Sequence, residues 1–202
     1  MGDWPVTTYE IDADLEIWIP VPRQFPDDVF TSAEEWADDL SEAAIPDDQA
    51  QRRIYRGLAL EVAHNQLEEA SHTFWYSPED GHALGTASLS IFEEEPEINL
   101  SEVVRPEYES ATPLQIETFE SRTFGQVLQA ASTISADPII QDNVATAPVV
   151  GQVRTVGYSK GLLFILDAYD ADLATLGFMM KPMLELFEAV TIFDDEDNEA
   201  TE

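Results

Sequence analysis

The stretch Val149–Leu173, VVGQVRTVGYSKGLLFILDAYDADL, indicates the fold more clearly than any other part of the chain. Two largely apolar runs flank the dipeptide Lys160-Gly161, an arrangement typical of two antiparallel strands joined by a tight turn. The second run, Leu162–Tyr169, is largely apolar on both of its faces. Since a strand of that kind needs cover on both sides, we predict that it lies in the centre of a sheet.

A helix is predicted directly after this pair of strands. The short acidic side chains of the segment Asp170–Asp172 can cap a helix that we expect from Leu173 to Val190. Pro182 lies inside that helix and predicts a kink or a split, because proline removes a backbone hydrogen bond. The predicted buried side consists of six apolar residues: Leu176, Met179, Met180, Met183, Leu184 and Phe187.

The amino-terminal part of the chain contains further strand and helix signals. VTTYEIDADLEIWIPVP, residues 6–22, alternates in polarity and predicts a β-hairpin that turns at Asp12–Asp14. A capping-box pattern, Thr31 or Ser32 followed three residues later by Glu34 or Glu35, predicts a short helix. Trp36 and Leu40 are expected on its inner face. This region therefore contributes a strand pair followed by a helix.

The longest predicted helix runs from about Asp47 to Ser71. Its apolar residues form a band wide enough to cover a sheet: Ile54, Leu58 and Val62, with Leu60, Ala63 and Leu67 beside them. After it, the segments Thr73–Ser77 and 83–92 predict a second hairpin-like pair of strands.

Three segments in the middle of the chain have weaker patterns. Residues 93–110 are polar and interrupted by proline, which indicates a loop or a sheet edge. The segment Ile116–Ala131 predicts a helix that carries Phe119, Val127 and Leu128. Residues 135–148 show no regular pattern and are expected to be irregular.

Strands in hairpin order with three or four helices indicate the α+β class. We predict a single domain, residues 1–193, in which helices flank a mainly antiparallel β-sheet. The segments IWIPVP (17–22), LLFILDAYDADL (162–173) and LELFEAVTIF (184–193) carry a resemblance to the Mog1/PsbP-like fold and to small actinobacterial proteins of that general shape. The resemblance implies no catalytic residue, because the known members of that fold are largely binding or accessory proteins.

The chain is strongly acidic, with 41 Asp and Glu residues against 9 Lys and Arg residues and a net charge of −32. Six of these acids lie in the tail 194–202, which we expect to be a disordered extension because it offers almost no apolar surface. An acidic surface repels phosphate backbones and anionic membranes, so we expect no nucleic-acid and no membrane partner. It suits a basic protein partner, or it serves solubility alone.

Composition also bears on compartment and on cofactors. The chain has no cysteine, which excludes disulfides and thiolate metal sites. It shows neither a secretory signal pattern nor an apolar run of the ~20 residues that a membrane helix needs, so we expect a cytoplasmic protein.

Catalytic and metal-binding motifs are weak in this sequence. Glu61 and His64, on the longest predicted helix, have the E-x-x-H spacing of di-iron bundles, but such sites also need glutamates from facing helices. His64, His72 and His82 could together form a zinc site, although isolated histidines at helix ends are usually structural or solvated. We therefore expect no metal and no cofactor. The many carboxylates pair by chance, so none is nominated for acid–base catalysis.

We therefore expect a non-catalytic binding or accessory protein, of the immunity, inhibitor or chaperone kind, that docks a basic protein. The alternatives are a small-molecule-binding protein or enzyme with a pocket between sheet and helices, and a mimic of nucleic acid. In the strand at residues 73–77, either an aromatic side chain is exposed to a partner or helices cover both faces. The candidate partner-binding residues are Asp38, Asp39, Trp75, Glu93, Glu94, Glu95, Asp194, Asp195, Glu196 and Asp197.

Overall fold

The fold is α+β, with a large antiparallel sheet and, among the described residues, four helices. The structure, a computed structural model, describes residues 8–94, 97–108, 110–135, 139–141, 144–146 and 149–193. The predicted α+β class is confirmed. The expected disordered tail, residues 194–202, lies outside the described residues. The chain divides into unit 1, Met1–Ala13 with Ile91–Glu202, and unit 2, Asp14–Ser90.

Unit 2 contains three antiparallel strands in the order β2 (Trp18–Val21), β3 (His72–Tyr76) and β4 (Gly85–Glu93). Residues 85–90 of β4 belong to this unit. Strands β3 and β4 pair directly, from His72 opposite Leu89 to Tyr76 opposite Gly85. The predicted hairpin-like pair in this region is confirmed.

Two helices of unit 2, α1 (Ala33–Ala44) and α2 (Gln49–His64), cover one face of these strands. The Ser32 hydroxyl accepts a hydrogen bond from the amide of Glu35, and the Asp48 carboxylate accepts from the amides of Ala50 and Gln51. These side chains satisfy amides that the first turn of a helix leaves without a partner. The helix starts near Ser32 and Asp47 are therefore confirmed.

The buried side of α2 differs from the predicted side. Tyr55 and Ala59 are buried, whereas Ile54 is 66 % exposed and Leu58 is 42 % exposed. Tyr55 stacks on Trp75 with the ring centroids 4.9 Å apart, so the ring of Tyr55 fixes which side of the helix faces the strands. The helix also ends at His64, about two turns before the predicted end at Ser71.

Four antiparallel strands of unit 1 lie in the order β10-β9-β6-β5, with the bounds β5 Gln115–Ser121, β6 Gly125–Ser135, β9 Val149–Ser159 and β10 Leu162–Asp170. The turn between β9 and β10 has positive φ at Lys160 (50°) and Gly161 (82°). Two successive residues with positive φ are typical of the type I′ hairpin turn, whose twist matches that of the strands. The predicted strand pair and its tight turn are confirmed.

The segment Ile116–Ala131 is not a helix, as the sequence pattern predicted, but the antiparallel pair β5 and β6. Gly125, at φ 69°, lies at the end of the turn between these strands. Such a backbone conformation is open to glycine and costly for most other residues. Residues 93–110, expected to be a loop or a sheet edge, contain a short helix α3 (Leu100–Val103).

Short strand pairs complete unit 1. β1 (Thr8–Ile11) pairs with β11 (Val190–Phe193), and β7 (Ile139–Gln141) pairs with β8 (Val144–Thr146). The predicted hairpin over residues 6–22 is therefore wrong, because β1 takes its partner from the far end of the chain. Within the segment 135–148, which was expected to be irregular, the described residues of β7 and β8 are regular strands.

Helix α4 (Leu173–Glu188) packs against β9 of the same unit and continues through Pro182 without a split. Its buried residues are Leu176, Met179, Met183, Leu186 and Phe187. A Cβ atom at Gly151 would lie 2.5 Å from the Leu176 side chain, and one at Gly157 would lie 2.8 Å from the Phe124 ring. Glycine at these two positions therefore permits the close packing seen on this face of β9.

Candidate functional site

The outward side of α1 carries the densest group of acids in unit 2. Five carboxylates of this helix are exposed: Glu34, Glu35, Asp38, Asp39 and Glu42. The opposite side consists of buried Ala33, Trp36, Ala37 and Ser41. Because residues three and four apart share one side of a helix, burial of the Trp36 side holds all five acids towards solvent.

Three of the five acids have structural partners within unit 2. Glu35 accepts hydrogen bonds from the backbone amide and the hydroxyl of Thr31. Asp38 forms an ion pair with Arg56 of α2, and the hydrogen bond from Arg56 lowers the pKa of Asp38. For Glu34, hydrogen bonds from its own backbone amide and from Ser32 lower the pKa.

Asp39 and Glu42 differ from their neighbours on α1. Among the described residues, no hydrogen bond or ion pair engages the side chain of either one. These two carboxylates lie three residues apart on the exposed side of the helix. They are therefore the acids of α1 whose charge is available to a basic group from another molecule.

Glu93 and Glu94, which were also predicted as partner-binding residues, are exposed in unit 1. Glu93 is the last residue of β4, and the amide of Glu94 donates to the carbonyl of Gly161 at 3.0 Å. The Tyr158 hydroxyl donates to the Glu94 carbonyl at 3.4 Å. The backbone here is therefore held while the carboxylates face solvent. Among the other candidates, Glu95, Asp194, Asp195, Glu196 and Asp197 lie outside the described residues.

Trp75 is 3 % exposed and does not offer its ring to a partner. On one side of β3 it stacks on Tyr55, while Phe74 and Tyr76 on the other side pack against Trp18 with centroid distances of 6.5 and 4.9 Å. Burial of a large aromatic ring is strongly favourable when both faces of a strand are covered. The aromatic side chains of β3 are thus buried, with α2 on one face and Trp18 of β2 on the other, and the interpretation of Trp75 as an exposed anchor is wrong.

A buried ion pair in unit 1 was not anticipated from the sequence. Arg154 on β9 and Asp167 on β10 lie directly opposite each other, and each side chain is 12 % exposed. Two parallel hydrogen bonds join them, Nε to Oδ1 at 2.8 Å and Nη2 to Oδ2 at 2.9 Å. Arg154 lies six residues before Lys160 and Asp167 lies six residues after Gly161, so the register of the hairpin turn already implied this pairing.

Neighbouring groups add further hydrogen bonds to this pair. Arg154 Nη1 donates to the carbonyl of Val103 at 3.2 Å, and Gln152 Nε2 donates to Asp167 Oδ1 at 3.0 Å and to the Tyr169 hydroxyl at 2.9 Å. Burial lowers the pKa of Arg154, but the hydrogen bond and the charge of Asp167 outweigh it and raise that pKa. Burial likewise raises the pKa of Tyr169. An ion pair with hydrogen bonds of this kind suits a structural role better than proton transfer.

The three histidines do not form a metal site. In the part of the chain that the structure describes, no three His, Cys, Asp or Glu side chains are grouped so as to hold a metal ion. His64 is exposed at the end of α2, and His82 Nδ1 lies 3.5 Å from Glu79 Oε2. His72 on β3 is partly buried, and this burial lowers its pKa.

Comparisons with known proteins assign no family. No protein-family model matches the chain, and no curated protein matches it. Among solved structures, the chain is similar to LpqN, a protein involved in cell envelope biogenesis of Mycobacterium tuberculosis, with 13 % sequence identity and a TM-score of 0.37 over 95 % of this chain and 86 % of that one. A similarity of this size does not confirm the Mog1/PsbP-like fold. Among the described residues, no helix has the length and apolar character needed to cross a membrane.

Proposed function

We propose that this chain is a non-catalytic acidic binding protein that docks a basic protein partner through the exposed side of α1. The observation that carries the proposal is the division of α1 into a buried side around Trp36 and an exposed side with five carboxylates. The proposal includes the Mog1/PsbP-like fold. Known members of that fold are largely binding or accessory proteins, which agrees with a binding role.

The physical basis of docking is a charge array that is fixed before binding. Burial of Trp36 and the ion pair of Asp38 with Arg56 hold α1 against α2. Asp39 and Glu42 then need little further ordering when a Lys or Arg side chain approaches, which limits the entropy cost of binding. The remaining net charge of the chain adds long-range attraction for a basic protein and raises the rate of encounter.

The non-catalytic part of the proposal is supported by the hydrogen bonds of the Arg154–Asp167 pair. The Arg154–Asp167 pair uses its hydrogen-bonding capacity within the fold, on Val103 and Gln152. An enzyme needs an acid, a base or a nucleophile that lies within hydrogen-bonding reach of its substrate.

Glu93 and Glu94, exposed in unit 1, are proposed as a second acidic contact for the partner.

Affinity purification from the native cell, followed by quantitative mass spectrometry, tests the proposal. Three tagged chains are compared: the natural sequence, Asp39→Asn with Glu42→Gln, and the control Glu117→Gln with Glu120→Gln. The control changes two exposed acids of β5 and alters the net charge by the same amount. We expect a basic protein to co-purify with the natural sequence and the control, and to be reduced at least about tenfold with the α1 variant.

Two outcomes would contradict this function. Equal recovery with both variants would mean that overall charge attracts the partner and that α1 has no special role. Recovery of no basic protein with the natural sequence would favour the alternative of a small-molecule-binding protein.

A further inference from the structure

Helix α2 has an apolar stripe on the side that faces away from the core of unit 2. Ile54 is 66 % exposed and Leu58, one turn later, is 42 % exposed. Gly57 lies beside them, and a Cβ atom added there would meet no atom within 4 Å. Burial of apolar surface is favourable, so this stripe suits contact with another surface, and Gly57 allows a backbone to approach closely.

Opposite charges flank Gly57 at equal distances along α2. Arg53 lies four residues before Gly57 and Glu61 lies four residues after it, and both side chains are exposed. Eight residues of α-helix span about 12 Å, so these two side chains are too far apart to pair with each other within one helix. In the described part of the chain, no hydrogen bond or ion pair engages either of them.

We propose that α2 is the contact between two copies of this chain, packed antiparallel across a twofold axis at Gly57. The twofold rotation places Arg53 of each copy at the height of Glu61 of its partner, so that two ion pairs form. The apolar stripes of Ile54 and Leu58 then cover each other between these pairs. Such an isologous contact needs a surface that is complementary to itself, and this side of α2 meets that condition.

Local charge disfavours a basic protein at this surface, whereas the exposed Arg53 and Glu61 complement the same two residues of a second copy. Helix α2 carries Arg52, Arg53 and Arg56 against the single acid Glu61, so it is locally positive in a chain of net charge −32. The net charges of two copies repel each other, and added salt screens this repulsion. The dimer is therefore strengthened by salt. This inference does not depend on the proposed function.

Sedimentation equilibrium of the full chain tests the dimer at about 0.1 M and about 1 M salt, where the screening lengths are about 10 and 3 Å. We expect the mass to rise with protein concentration from 22.5 kDa towards twice that value, and to do so more readily at the higher salt. Ile54→Gln should raise the dissociation constant at least about tenfold. The control Val29→Gln, at a residue of unit 2 that is 74 % exposed, should leave it unchanged.

Charge reversal separates the ion pairs from the effect of overall charge. Arg53→Glu should weaken the dimer. Glu61→Arg should weaken it as well, although it makes the chain less negative, because it sets the introduced arginine of one copy against Arg53 of the other. The combined variant keeps the natural net charge and should restore the dissociation constant to within about threefold. A monomer at both salts, no effect of Ile54→Gln, or a stronger dimer with Glu61→Arg would each overturn the proposal.

Discussion

Arg154 and Asp167 face each other across β9 and β10 and share two hydrogen bonds, of 2.8 and 2.9 Å. Arg154 also donates to the Val103 carbonyl, so the same ion pair fastens α3 to this face of the unit 1 strands. Next to it lies a small apolar cluster of Val104, Leu128, Ala130 and Val156. The pair therefore serves as the polar part of the contact between α3 and β9.

Breaking this pair on one side should destabilise the fold strongly. Asp167→Asn leaves the Arg154 charge buried without its counter-ion, and we expect a loss of about 3–5 kcal/mol in the free energy of unfolding. Replacing both residues, Arg154→Met with Asp167→Leu, should cost less than the single change. Urea denaturation measures the free energy of unfolding of the single and the double variant. A single-variant loss below about 1 kcal/mol would show that the pair has no structural role.

The β9–β10 hairpin could be predicted from the sequence, whereas the β5–β6 pair could not. In the first, apolar runs on both sides of Lys160-Gly161 specify strands and turn together. In β5, almost every residue is exposed, so no alternation of polarity distinguishes the strand from a helix. The strand β5 is instead stabilised by backbone pairing with β6 along its whole length.

The orientation of α2 was not predictable for a different reason. Apolar residues occur on both sides of this helix, Tyr55 and Ala59 on one and Ile54 and Leu58 on the other. Periodicity identifies a helix with such a sequence, but the choice of the buried side depends on its tertiary partner, here Trp75. The acidic candidates Asp38 and Asp39 lie on the exposed side of α1, away from Trp36, and helix capping and the position of Trp36 are local signals of that orientation.

Phe164 should be one of the most costly residues to truncate. It is fully buried and packs against the rings of Tyr9 and Phe124, with centroid distances of 5.7 and 5.3 Å. Phe164→Ala should lower the free energy of unfolding by about 3–5 kcal/mol, from lost burial and the cavity left behind. Phe178→Ala is the matched control, since Phe178 is 72 % exposed, and should change it by at most about 0.5 kcal/mol. Similar losses for both would show that β10 is not a core strand.

His72 should make the protein less stable in mild acid. Burial lowers its pKa below the ordinary 6.5, so the unfolded chain binds this proton more readily than the folded chain does. The stability that neutral His72 contributes is therefore fully present above pH 6.5. It is lost as the pH falls from 6.5 through the pKa of the folded state.

Urea denaturation at about pH 7.5 and about pH 5.5, on either side of the ordinary histidine pKa, measures this effect. His72→Gln should reduce the difference in stability between the two conditions. His64→Gln, at an exposed histidine, should retain it. An unchanged difference in the His72 variant would show that other groups control the response to acid.

The cap at Asp48 should stabilise α2. Its carboxylate accepts hydrogen bonds from the amides of Ala50 and Gln51, at 2.8 and 3.0 Å. Asp48→Ala should cost about 1 kcal/mol, while Asp47→Ala, one residue earlier and also exposed, should cost much less. Thermal unfolding of the two variants makes the comparison, and equal shifts would mean that Asp48 acts only through its charge.

The rate at which the recovered basic partner associates with α1 tests the proposed function most directly. Stopped-flow mixing at about 0.1 M and about 1 M salt compares the natural chain, Asp39→Asn with Glu42→Gln, and the control Glu117→Gln with Glu120→Gln. We predict that the α1 variant associates several-fold more slowly at the lower salt, that the difference shrinks at the higher salt, and that the control resembles the natural chain. Equal rates for all three chains at both salts would contradict docking through α1.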